Sequence, residues 1–353
     1  MMRRPGKIFS LLVIAFLLWN LLACSPAPAA RAQGRTVVIY TSVDQVYAEP
    51  LLKQFTAETG IQVSPVYDVQ AASPTGLVSR LIAEKDHPLA DVFWSSEFIQ
   101  TLLLQDVGAL QAYRSPNAAN IPNIYKDPDG YWTGFAGRMR VLLVNTDKVN
   151  HDQSPASVDD LLDPAVPPAQ EGIVRPLFGT TLDHAAAIYA LRGPQQGRAF
   201  FQALKQRGVQ VLASSAAVRD RVADGRLGVG LLDSNDACAA LAGGAPVKIV
   251  IPDQKPDQTG VAALGALIIP NTLAVVAGAP HLTEARQLVD FLLRPATEQA
   301  LVDSGWSHAP LHPGLKAGAC FKGVRVIGMT VPIRDIYRNL SAVQKDLSEI
   351  FVQ

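Results

Sequence analysis

The chain runs to 353 residues, with 31 basic and 31 acidic side chains, 48% apolar residues and three cysteines. That length is roughly two domains' worth, and the apolar share is ample for buried cores. The balanced charge excludes the basic excess that nucleic-acid binding needs. No CxxC or Cys/His array gives a zinc signature.

Arg3, Arg4 and Lys7 precede an almost wholly apolar run from Ile8 to Ala23, which closes in Leu21-Leu22-Ala23-Cys24. A charged start, an apolar core and a small-residue end describe a secretory signal over residues 1–23. The cysteine makes it resemble a bacterial lipoprotein signal, in which Cys24 is lipidated and becomes residue one. The competing readings are an uncleaved anchor, for which the run is shorter than a span of roughly 20 residues, and ordinary cleavage near Ala30 to Gln33. Residues 24–35, rich in Pro and Ala, read as a tether. Cys238 and Cys320 either pair in an oxidising compartment or remain two separate buried thiols.

Thr36 to Tyr40 reads as a buried strand. Tyr47, Leu51, Leu52 and Phe55 follow at helical spacing, with Pro50 placed in a first turn. Gly60 ends that helix, and Ile61 to Val63 starts the next strand, giving a βαβ opening. Thr41 and Ser42 lie at the strand exit, where ligands bind in open α/β sheets; simple capping is the plainer alternative. Ser73 and Thr75 precede a second helix, whose N-terminus suits an anion. Ala90 to Trp94 is a strand with polar exit residues Ser95, Ser96 and Glu97. Trp94 is either a binding platform or core.

Residues 113–130 are loop-like. Tyr131 to Phe135 then enters a strand over Met139–Val144, with an inter-domain crossing near Gly134 to Arg138. Arg138 or Arg140 either holds an anion bidentately or forms a surface ion pair. Gly172 to Phe178 is a strand. Gly179, Thr180 and Thr181 open an Ala-rich helix carrying His184, again offering N–H groups and hydroxyls to an anion. Ser214 and Ser215 cap another helix, from which Arg219 reaches toward the cleft.

The apolar run Leu227 to Leu232 ends abruptly in Asp233, Ser234, Asn235 and Asp236, the polar cluster expected where a buried strand leaves its sheet. It marks a ligand site, a helix cap, or both. Residues 266–276 read as a strand pair or one long strand broken at Pro270, a second crossing. His308 and His312 are four apart, but the intervening Pro310 argues against a metal pair on one helix face. The chain ends in an amphipathic helix over about 333–350.

In order and spacing, Ala90 to Trp94, Tyr131 to Phe135 with Arg138, and Pro176 to Thr181 with His184 resemble the periplasmic ferric-ion-binding proteins. These belong to the wider group of solute-binding proteins of ABC importers, with relatives for thiamine, aminoethylphosphonate and sugar phosphates. The resemblance covers Thr36 to about Pro313. It implies an α/β, two-lobed periplasmic-binding-protein fold of type II, each lobe a mixed sheet flanked by helices. Lobe 1 would hold 36–136 and 270–318; lobe 2 would hold 137–269 and the helical segment 319–353. It also implies a monomer without a cofactor, tethered at the periplasmic face, closing on one ligand and delivering it to a membrane permease.

Ferric binders of this family place two adjacent tyrosines where this chain has Asn235 and Asp236, and often a His in the first turn, which is absent here. Glu97 falls one place from the family's acidic residue. Phenolate suits Fe(III) better than these substitutes do. The expected ligand is therefore a small anion, phosphate- or phosphonate-bearing or thiamine-type. The alternative is a ferric ion or metal chelate with Glu97, Asp233 and Asp236 as oxygen ligands. An enzyme is not expected: there is no Gly-x-Ser-x-Gly elbow and no His placed to serve Ser214 or Ser234.

Overall fold

The computed structural model describes residues 34–68, 76–163, 166–255 and 264–352. Cys24, most of the tether, Ser73 and Thr75 lie outside the described residues. Among those described, no helix is long and apolar enough to cross a membrane.

The chain opens with β1 (Thr36–Thr41), α1 (Gln45–Thr59) and β2 (Gln62–Tyr67), then α2 (Gly76–Ala83), β3 (Val92–Ser95), α3 (Ile99–Asp106) and a short β4 (Leu110–Gln111). β1 pairs in parallel with both β2 and β3, so the βαβ opening forms as expected. Ala48, Leu51, Leu52 and Phe55 turn the inner face of α1 to the core. Pro50 sits in the second turn of α1, not the first. The cost is one helical bond, to the carbonyl of Val46, whose side chain is exposed.

β5 (Thr133–Asn145) is fully buried and thirteen residues long. Then come β6 (Glu171–Val174), α4 (Gly179–Arg192), α5 (Pro194–Arg207), β7 (Gln210–Leu212), α6 (Ser215–Ala223), β8 (Val229–Asp233), α7 (Ser234–Ala242) and β9 (Val247–Val250). β10 (Ile268–Val276), α8 (Leu282–Leu292), α9 (Pro295–Asp303) and α10 (Ile333–Phe351) complete the chain.

The sheet runs β2-β1-β3-β10-β5-β8-β6-β7, with β4 added to β10 and β9 to β5. β5 joins its two halves. Thr133 to Met139 pair antiparallel with β10, and Arg140 to Val144 pair antiparallel with β8. The stretch around Pro270 is one strand rather than a pair. Proline cannot donate to the ladder, so the register shifts between Ile269 and Asn271.

The middle of β5 is strained where the halves meet. Ala136 adopts φ 49°, which side chains disfavour. Its N–H donates to Glu298 Oε1 at 2.6 Å, and its carbonyl accepts from Asn271 Nδ2 at 2.5 Å. Asn271 is fixed in turn by the indole N–H of Trp306 at 3.0 Å. Gly134 has no room for a side chain, because a Cβ there would lie 2.9 Å from both Pro270 and the Tyr125 carbonyl. On the far half, α10 packs against α4 and α5, with the Phe351 and Phe201 rings edge-on at 6.4 Å and Arg198 bonded to Glu349 at 2.8 Å.

Candidate functional site

Carboxyl ends of parallel strands gather the exits of a sheet into one place. Here a cavity of about 230 Å³ lies where the exits of β1, β2, β3 and β8 meet the first turn of α4. Ser42, Ser95, Ser96, Glu97, Arg138 and Asp233 line it, with Gly179 and Thr180 from α4. Asp68, Phe93 and Gln100 also line it, and composition gave no signal for them. A larger depression of about 1060 Å³ lies between the 114–133 loop and the start of α10. Its Arg334 and Arg338 pair with Asp106 and Asp335, and none of the residues expected from the sequence to bind a ligand lies on its wall.

Arg138 and Arg140 follow the kink in β5 and point to the same carboxylate. Arg140 is wholly buried and donates to Asp233 Oδ1 at 2.7 Å. Arg138 Nη1 lies 3.6 Å from Asp233 Oδ2, and its Nη2 donates to the Ser96 carbonyl at 2.7 Å. Arg138 therefore joins the two halves of the sheet, its guanidinium 5.1 Å above the Trp306 ring. Thr180 donates to Asp233 Oδ2 at 2.8 Å. Burial opposes charge on Asp233, but Arg140 and Arg138 outweigh it and hold the carboxyl below its usual range. These arginines form a buried network, not the surface pair that was the plainer sequence reading.

The other carboxyls behave differently. Glu97 caps α3: the N–H of Ile99 donates to its Oε2 at 2.5 Å and that of Gln100 to its Oε1 at 3.0 Å. Burial still pushes it up to about 7. Asp183 is fully buried, and neither of its oxygens has a hydrogen-bond partner among the described residues. Burial, then the charges of Glu97 and Asp233, raise it well above the usual range. It lies three and four residues past Thr180 and Gly179, hence on the same helix face, a signal present in the sequence but not used. Asp233 thus stays ionised against two arginines, while burial pushes Asp183 and Glu97 toward their neutral forms.

The remaining candidates sit around this centre. Trp94 is in the core, its ring tilted 36° to that of Phe135 at 5.9 Å, and absent from the cavity wall. Side chains alternate along a strand, so Phe93 faces the cavity instead. Thr41 is buried and accepts from the Val43 N–H at 3.0 Å, a local cap. Thr181 and His184 lie buried behind the first turn of α4; burial, then Arg140, lowers His184 to about 3. Ser214 caps α6 at 3.1 Å and is exposed, with Ser215 beside it. Arg219 pairs with Asp220 at 2.8 Å and with Asp236 at 3.0 Å, so both members of that cross-helix pair are engaged. Asn235 is half-buried, its Oδ1 without a partner among the described residues. Ser234, the first residue of α7, is buried and accepts from the Met139 N–H at 3.1 Å.

The fold and the exit-lined cavity define an extracellular solute-binding protein of the type II periplasmic class, the kind that serves ABC importers. The chain belongs to the bacterial extracellular solute-binding protein family, whose sequence profile matches residues 87–323. It is 28% identical over 162 residues to iron uptake protein A1 of Synechocystis, covering 45% of this chain and 44% of that one. It is 28% identical over 159 residues to the Fe(3+)-binding periplasmic protein of Serratia marcescens, covering 45% of each. The matched stretch thus spans less than half the length of these curated relatives. In three dimensions it is similar to the Trichodesmium protein IdiA (FutA) in complex with iron and citrate ligands, with a TM-score of 0.76 and 19% identity over 90% of this chain and all of that one. At that identity the likeness is one of fold.

Proposed function

We propose that this protein captures a ferric complex, Fe(III) wrapped by a small polyanionic chelator such as citrate, and delivers it to an ABC permease. The observation that carries this reading is the commitment of the candidate metal ligands. Glu97 is occupied by two backbone N–H groups, Asp233 by two arginines and a threonine, and Asp236 by Arg219. No tyrosine lines the cavity among the described residues. Bare Fe(III) would meet the Arg138 guanidinium and, beside the carboxylates already committed, only Asp68 among the described lining residues, whereas it prefers several hard anionic oxygens. A chelator supplies those oxygens and presents net negative charge outward, which Arg138 and the N-terminus of α4 favour.

The names of the relatives weigh toward iron and against the phosphate- or thiamine-type solute expected from the residues alone. The cavity, below the roughly 300–1,000 Å³ of drug-sized sites, suits a small complex. Closure would turn on β5 and β10, with 36–136 and 270–318 moving as one lobe and 137–269 with the C-terminal helix as the other. Ligand contacts to both lobes would favour the closed form.

A second reading keeps the same cradle and drops the metal: a phosphate ester or phosphonate held by Arg138 and the Gly179–Thr180 turn. A thermal-shift panel on ligand-stripped protein separates the two. Ligand at 100 times its Kd stabilises by roughly 2.7 kcal/mol. Ferric citrate is expected to raise Tm beyond citrate alone. A shift with phosphorylated compounds and none with ferric citrate would retire the iron reading.

A further inference from the structure

A second cluster of ligating side chains lies behind the cleft. Cys238 on α7 is disulfide-bonded to Cys320 in the 3-10 turn Ala319–Phe321, across 82 residues of sequence, with Cα atoms 5.9 Å apart. His308 lies beside them, and a ligand atom from each of the three falls within 4.8 Å of the others. We propose that reduction of the Cys238–Cys320 disulfide turns these two cysteines and His308 into a binding site for one thiophilic divalent cation of the zinc class.

Two observations support it. First, the histidine is held in place before any ion arrives. Its backbone N–H donates to the Gly137 carbonyl at 2.9 Å, and its ring Nδ1 lies 3.2 Å from Ser234 Oγ. The ring meets Phe321 edge-on at 5.7 Å. Gly318 packs so closely that a Cβ there would come within 2.6 Å of the ring. One nitrogen is thus engaged by a hydroxyl, the arrangement that orients a ligating histidine and leaves its other nitrogen for a metal. Second, both cysteines are half-buried. A reductant reaches them, and water can fill the fourth position of a tetrahedral site.

The geometry needs little movement. Zinc–sulfur bonds of about 2.3 Å in a tetrahedron place two sulfurs roughly 3.7 Å apart, a separation reached by side-chain rotation at the observed Cα distance. The chemistry balances with a dithiol as reductant. Its first thiolate attacks one sulfur and expels the other cysteine as a thiol; its second closes onto the first, leaving as a cyclic disulfide. Two electrons and two protons pass to Cys238 and Cys320. The cation then displaces two thiol protons to solvent. In the oxidised protein both sulfurs are used by one another, so the site is closed. Residues 238, 308 and 320 share no short spacing, which is why no sequence motif revealed them.

The probe is Co²⁺. The protein, reduced with a phosphine and desalted without oxygen, is titrated with Co²⁺ while circular dichroism monitors its fold. We expect thiolate-to-cobalt charge-transfer absorption and visible bands of a tetrahedral ion, saturating at one equivalent and bleached by Zn²⁺. The oxidised protein should give neither. Cys238→Ser should abolish the bands. His308→Gln, which keeps both thiols, should weaken Co²⁺ binding at least tenfold and shift the spectrum. A folded reduced protein without charge-transfer bands overturns the proposal. So does a reduced protein that has unfolded, or a His308→Gln variant identical to wild type in affinity and spectrum.

Discussion

Two buried carboxylate centres stand on either side of the kink in β5, and they are built on opposite terms. Behind the kink, Glu298 is wholly buried and fully partnered. Its Oε1 accepts from the N–H groups of Ala136 at 2.6 Å and Leu311 at 2.7 Å. Its Oε2 accepts from the His312 N–H at 3.0 Å and pairs with His312 Nδ1. Burial alone would raise Glu298, yet His312 and the backbone donors hold it below its usual range. In front of the kink, Asp183 is equally buried and without a partner among the described residues, and burial pushes Glu97 up to about 7. A satisfied buried acid fixes a backbone; an unsatisfied one is tolerated where something else is meant to complete it. The first centre holds the strained Ala136, and the second surrounds the cavity.

The sharpest break between them is Glu298→Ala. It strips partners from three backbone N–H groups and from His312 at once. Removing one member of a buried pair typically costs about 3–5 kcal/mol, and urea denaturation should show a loss of that size. A loss under 1 kcal/mol would mean that the kink is held by other contacts.

Next in size is Arg138→Ala, read in ligand affinity. If the cradle takes an anionic complex through this guanidinium, one charged hydrogen bond worth about 1.5–3 kcal/mol is lost, roughly ten- to a hundredfold in Kd for ferric citrate by calorimetry. An unchanged Kd would remove Arg138 from the site.

Much of this architecture was legible beforehand, because apolar runs and their polar exits are local signals. The run ending at Leu232 became β8, the cluster Asp233 to Asp236 became the start of α7, and the ends of β1 and β3 were read from the same pattern. What escaped depends on distant partners. Alternation along β3 decides between Phe93 and Trp94 only once the cavity side is known. His308 and His312 looked like a failed pair, and folding gave them separate tasks, one beside the disulfide and one on Glu298. Arg140 and Asp233 are 93 residues apart, and nothing in either neighbourhood announces the other.

A smaller effect separates the centres by pH. Burial alone would lower His312, but the Glu298 hydrogen bond and the Asn117 carbonyl raise it above its ordinary 6.5. A raised cation stabilises fully below 6.5 and loses that contribution as pH climbs through the folded value. Glu298, lowered from 4.5, works the other way and loses its contribution as pH falls through its folded value. The deficit of His312→Gln relative to wild type, followed by denaturant midpoint, should therefore be largest near pH 6 and shrink toward alkaline pH. A deficit that does not vary between pH 6 and 9 would show that the pair is not ionic.

The smallest expected effect is the most telling. Asp183→Asn keeps the shape of a side chain that burial pushes toward its neutral form, and it breaks no hydrogen bond among the described residues. The folded protein should lose less than about 1 kcal/mol, against several for Glu298. Ligand binding should nonetheless weaken if closure brings the bound cation against this carboxyl, because the carboxyl can then ionise and an amide cannot. Stability and affinity measured on the same preparation decide the matter. A large stability loss with unchanged affinity would make Asp183 a second structural acid, and the contrast across the kink would collapse.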